Sequence, residues 1–143
     1  MELFTIGFTK SSAESFFSRL REAGVTRVVD VRISNTSQLS GFAKRDDLAF
    51  FLREIAGIEY EHRLELAPSE ELFKTYRGGG TWDDLEAGYR ALLKARAVET
   101  SIEPSDLDGA ALLCSEAGPE QCHRRLAAEH LAAAWPDVTV THL

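Results

Sequence analysis

The chain has 143 residues, a formal net charge of −7 and 44% hydrophobic residues. That length allows one domain with one substantial core, and the acidic balance excludes broad, sequence-blind binding to duplex nucleic acid, which needs a basic face. No apolar run approaches membrane-spanning length, and Met1 leads almost at once into a strand pattern with no room for a signal peptide. We therefore expect a cytoplasmic protein with no membrane partner, whose two cysteines are thiols rather than a structural disulfide.

Residues 3–6 read as a first strand ending at Gly7. Ser11 and Glu14 then form a capping-box pattern, with Ser11 as the expected cap. Phe16, Phe17, Leu20 and Ala23 follow at helical spacing, and Gly24 ends the helix. Residues 25–31 are β-branched and apolar, a second buried strand with Asp30 and Arg32 at its end. Strand, helix and strand within about thirty residues make a βαβ unit with parallel strands.

A polar loop over residues 32–44 comes next, longer than a plain connector needs. The spacing predicts a helix over 46–56 with Leu48, Phe51, Leu52 and Ile55 on one face, stopped by Gly57. Residues 58–62 alternate and suggest an edge strand. Pro68 and Ser69 start a short helix carrying Leu72, Phe73 and Tyr76, which Gly78, Gly79 and Gly80 break. Thr81 opens a long helix with Leu85, Tyr89, Leu92 and Leu93 on its apolar side. Residues 100–109 read as a loop, 110–114 as a central buried strand, and Pro119 with Glu120 as the start of a last helix to about Ala134. A final strand is expected over 138–141. The pattern as a whole predicts a single α/β domain spanning residues 1–143, three layers deep, with a largely parallel central sheet flanked by helices.

Both cysteines fall in the stretch from Ala110 to Arg125. Cys114 sits where a strand ends, and Cys122 and His123 sit near the following helix start. Loops at the carboxyl ends of strands are where open α/β folds place their sites. Cys114 is a candidate nucleophile, since a helix start together with His123 or Arg124 supplies the positive charge that a thiolate needs. Its plainer reading is a small buried side chain at a strand end. A structural zinc site needs four ligands; Cys114, Cys122 and His123 give three, with seven residues between the cysteines. We expect no metal. A reversible Cys114–Cys122 disulfide is the other reading of the pair. The phosphatase spacing is absent, because the sixth residue after Cys114 is Glu120 rather than arginine.

Arg32 is read either as a planar fork for a phosphate or carboxylate, or as half of a structural ion pair, with Glu116 as the suggested partner. Asp30 and Arg32 are expected to project from opposite faces of the strand end. Phe42, Lys44 and Arg45 with Ser34, Asn35, Ser37 and Gln38 would form a polar lip for a nucleotide or single strand. Gly78 to Gly80 lacks the preceding strand and following lysine of a phosphate loop, and no cofactor is expected. His62 and Trp82 are read as packing residues.

Leu112-Leu113-Cys114-Ser115-Glu116 followed by Cys122-His123-Arg124-Arg125 resembles the hallmark of the bacterial and archaeal domain-of-unknown-function family number 488. Thr5-Ile6-Gly7, Val29-Asp30-Val31-Arg32 and Tyr60-Glu61-His62 fit the same family. The resemblance covers nearly the whole chain and implies suspect residues but no reaction. It also implies a histidine after Thr-Ile-Gly, where this chain has Phe8, and a proline after Asp-Val-Arg, where it has Ile33-Ser34-Asn35-Thr36. If that histidine supplies a base, His123 is the first substitute.

These readings converge on one pocket at the ends of the first, second and Cys114 strands. The leading expectation is an enzyme-like site for a small anionic substrate, such as a nucleotide or nucleic-acid component. Cys114 and His123 would be catalytic, and Gly7, Asp30, Arg32, Glu116, Cys122 and Arg124 would bind substrate. An anion is expected at the N–H groups of residues 118–123, with Glu116 paired to Arg32 or Arg125 or capping the helix. The alternative is a non-catalytic module recognising nucleic acid or a protein. A preformed pocket faced by both reduced cysteines argues for the enzyme; a filled pocket and a flat basic lip argue for the module.

Overall fold

The computed structural model describes residues 1–36 and 41–143, so Ser37 and Gln38 of the expected lip lie outside the described residues. Five strands form one sheet: β1 (Glu2–Gly7), β2 (Arg27–Asp30), β3 (Glu59–His62), β4 (Ala110–Cys114) and β5 (Thr139–His142), in the order β3-β2-β4-β1-β5. Every pairing is parallel. β1 and β2 are parallel as the βαβ pattern requires, but β4 lies between them.

Alternation along the strands sorts the core into two layers. Leu3, Val29, Val31, Ala110, Leu112 and Cys114 face one side, under helices α4 (Trp82–Arg96) and α7 (His123–Ala134). Phe4, Ile6, Val28, Ala111 and Leu113 face the other, under α1 (Ala13–Glu22) and α2 (Arg45–Phe51). β4 is buried at every position, as expected of a central parallel strand. The chain is thus a three-layer α/β domain. No helix among the described residues is long and apolar enough to cross a membrane.

Several local details differ from the sequence pattern. Ser12, not Ser11, caps α1 by accepting from Ser15 N–H, and Ser11 Oγ instead accepts from Arg19 Nη2. α2 runs on into a π-helical turn over Leu52–Ala56, closed by Gly57 in the left-handed region. The wider π turn rotates Ile55 off the apolar face, and it is 47% exposed. The expected loop over 100–109 includes the end of α5 (Val98–Ser101) and then α6 (Pro104–Leu107), with Pro104 at the first helical position. α3 (Glu70–Arg77) and α4 start where Ser69 and Thr81 cap them. α7 begins at His123, four residues past the expected Pro119, because the chain first spans a wide loop and Cys122 takes the cap position.

Candidate functional site

Parallel pairing brings the strand ends together. Gly7 lies opposite Cys114 and Asp30 opposite Leu113, so Gly7, Asp30 and Cys114 share the carboxyl edge of the sheet. A cavity of about 390 Å³ opens at this edge. Cys114 and Arg32 line it from the strand ends, His123 from the start of α7, and Glu70, Phe73, Lys74 and Arg77 from α3.

Cys114 and His123 meet at the cavity floor. Sγ lies 3.4 Å from His123 Nδ1. The other ring nitrogen, Nε2, is 2.6 Å from the Val31 carbonyl oxygen, which can only accept. Nε2 therefore carries a proton, and Nδ1 turns its lone pair to the thiol. The Tyr89 ring packs edge-on against the imidazole, 5.6 Å between centroids, and Tyr89 OH is anchored to the Leu66 carbonyl.

The surroundings bias the two thiols in opposite directions. Burial opposes the Cys114 thiolate, but a hydrogen bond from Cys122, the N–H groups of Ser115 and Glu116, and the charge of Arg124 outweigh it and hold Cys114 below the usual thiol range. Burial, its bond to Cys114 and the charge there push Cys122 well up. Burial also keeps His123 below its usual range, favouring the neutral ring. Both cysteines are free thiols. Cys122 lies behind Cys114, 1% exposed, and is not among the residues lining the cavity. The ligand atoms of Cys114, Cys122 and His123 lie within 4.8 Å of one another.

Arg32 and Asp30 do not project to opposite faces. Residues two apart share a face, and Arg32 donates from Nε and Nη2 to the two Asp30 oxygens at 2.8 Å each. The ion-pair partner is thus Asp30, not Glu116. Tyr60 OH and Asn35 Nδ2 also donate to Asp30, and the bonds and charge of Arg32, with the Tyr60 bond, keep its pKa low despite burial. The network fixes the guanidinium against the Phe8 ring, 5.2 Å from its centroid. Arg32 is 3% exposed, and its Nη1 has no hydrogen-bond partner among the described residues. His62, from edge strand β3, meets the Arg32 carbonyl.

Arg124 and Gly7 sit off the cavity and hold its loop. Arg124 is fully buried and donates to the Glu116 and Ala117 carbonyls and to Thr5 Oγ1. Gly7 lets that loop cross over β1: a Cβ there would stand 1.6 Å from Glu116 O. Phe8 N–H and Thr9 N–H both bond the Ser115 carbonyl beside it. Glu116 is exposed, and what it contributes is its carbonyl; among the described residues its carboxylate meets neither Arg32, held by Asp30, nor Arg125, which pairs with Glu86 and Glu129. Gly118 is overhung by the Glu120 carboxylate.

Phe42 packs inward against Phe8, Phe16 and Phe17 rather than forming a lip, and Arg45 pairs with Asp46. The α3 side chains were missed by the sequence reading. Their signal is the spacing of Glu70, Phe73, Lys74 and Arg77, which share one face of a helix that buries none of its residues.

The profile of the family described as "Domain of unknown function DUF488" matches residues 12–131. No curated protein and no solved structure gives a significant match.

Proposed function

The chain belongs to the DUF488 family, and from that premise we propose that it is an enzyme whose Cys114 thiolate attacks a small anionic substrate held in the cavity. The class we favour is a nucleotide or other nucleic-acid component. The observation that carries this reading is the pairing of a lowered thiol with a base, at the floor of a cavity walled by three cations and one carboxylate. A cavity of about 390 Å³ falls within the range of small-ligand sites.

The roles follow from the geometry. Nδ1 of His123 takes the Cys114 proton, and the Val31 carbonyl stabilises the imidazolium through Nε2–H. Sγ then bonds to the electrophilic centre of the substrate. The bond to the leaving group breaks, and that group departs with the electron pair and takes the proton back from Nδ1. Arg32 offers Nη1 to the substrate's anionic group while Asp30 holds the other two nitrogens. Lys74 and Arg77 supply longer-range charge, and Phe73, with the Arg77 guanidinium 4.4 Å over its ring, supplies an apolar wall. Arg124 and Gly7 act through the loop and do not touch substrate.

Alkylation of Cys114 by iodoacetamide across pH tests this reading. The rate midpoint should fall below the ordinary thiol value of 9.0. Millimolar phosphate or a nucleoside monophosphate should slow alkylation of the wild type, and Arg32→Ala should abolish that protection. A Cys114 that reacts as an ordinary thiol, or protection that survives in Arg32→Ala, would move the non-catalytic binding reading ahead.

A further inference from the structure

We propose that Cys114, Cys122 and His123 together bind a zinc ion, with the fourth coordination position open to the cavity. The expectation of no metal rested on the absence of a fourth protein ligand, which a closed structural site needs. An open site needs only three.

The geometry supports three ligands. Their donor atoms lie within 4.8 Å of one another, and Cys114 Sγ is 3.4 Å from His123 Nδ1. Zinc bonds of about 2.3 Å to sulfur and about 2.0–2.1 Å to nitrogen, at a tetrahedral angle, set those two donors roughly 3.5 Å apart. The imidazole is already arranged as a ligand. Its Nε2–H donates to the Val31 carbonyl, the outer-shell bond that fixes the tautomer and leaves Nδ1 as the donor atom. Tyr89 holds the plane of the ring.

Chemistry selects the ion. Two sulfurs and one imidazole, with no carboxylate among them, suit zinc and not magnesium or calcium. Binding drives the thiol protons to solvent, and two thiolates with a neutral imidazole cancel the charge of the dication. That neutralisation matters because Arg124 lies near enough to influence both thiols. Cys114 and His123 line the cavity, so the ion has a route in and the open position faces solvent. Zinc on Sγ would block its use as a nucleophile, so the metal would be an inhibitor. That consequence rests on the function proposed above; the binding does not.

The test uses reduced wild-type protein and the metal alone. Competition with a chromogenic chelator should give one zinc per chain, and cobalt in its place should show sulfur-to-metal charge transfer with tetrahedral visible bands. Zinc should slow alkylation of Cys114, which lines the cavity, in the wild type, a measurement that needs no variant to fold. Cys122→Ser and His123→Ala should each weaken zinc binding by at least about tenfold. Substoichiometric zinc, an octahedral cobalt spectrum, an unprotected Cys114, or unchanged affinity in Cys122→Ser would each overturn the site. Zinc binding without phosphate protection of Cys114 would sink the substrate reading and leave this one standing; phosphate protection without zinc binding would do the reverse.

Discussion

Gly7→Ala should be among the most damaging small substitutions in the chain. The added methyl has 1.6 Å to the Glu116 carbonyl oxygen where at least 3.0 Å is needed, and the obstacle is backbone. The loop over residues 115–117 must lift from β1. Overpacking alone costs about 1–3 kcal/mol. Lifting also loosens the guanidinium of Arg124 from its carbonyls, and a hydrogen bond from a charged donor contributes about 1.5–3 kcal/mol. The two together give about 2.5–6 kcal/mol, against about 5–15 kcal/mol for a whole domain. At this chain length the melting temperature should fall by roughly 8–20 °C. Urea unfolding followed by circular dichroism should show a lower midpoint at an unchanged slope. Gly24→Ala is the control: its φ is +74° but nothing lies within 4 Å of the added carbon, so only the left-handed backbone cost of about 1–2 kcal/mol applies. A Gly7→Ala variant within about 0.5 kcal/mol of wild type would refute the argument that close approach of the loop makes glycine necessary there.

Tyr60→Phe should cost about 1.5–3 kcal/mol, the range for a hydrogen bond to a charged group, because its hydroxyl bonds Asp30. Asp30 has a lowered pKa, so its stabilisation is present above the unfolded value and lost as pH falls through the folded one. Removing the Tyr60 bond raises the folded value, and acid unfolding of the variant should begin at a higher pH. His123 is also lowered, from 6.5, because the folded chain resists protonating it. Stability should therefore be full above about pH 6.5 and decline as pH falls below it. His142 contributes in the same window, so His123→Gln should flatten the decline in melting temperature without abolishing it.

The central place of β4 was legible because residues 110–114 are an unbroken apolar run, as a parallel strand covered on both faces requires. The meeting of Cys114 and His123 was legible for a related reason: one ends a strand, and the other begins the helix packed on it. The role of Arg124 was not: the motif marks it as a substrate ligand, whereas it is fully buried and holds the loop carbonyls. Its burial depends on carbonyls whose direction only the folded loop defines. Nor does any local pattern tie Tyr60 to Asp30, thirty residues earlier. Pro119 signalled a helix start, but the loop and Arg125, which donates to the Pro119 and Glu120 carbonyls, hold those residues in turns instead.

The position of β4 between β1 and β2 governs how the chain can assemble. β1 and β2 arise within the first 30 residues, yet neither has the other as a neighbour. The link between them waits for β4, and contacts such as Thr9 with Ser115 close a separation of 106 residues. A chain emerging from the ribosome can pair β2 with β3 early, but β1 stays without a strand partner until β4 has been made. The cost of closing so long a loop must be met before those pairings return anything, which slows folding and extends the exposure of apolar edges. Truncations ending before Ala110 should therefore yield an aggregation-prone chain rather than a smaller domain, and the step that completes the sheet is the one that creates the Cys114 site.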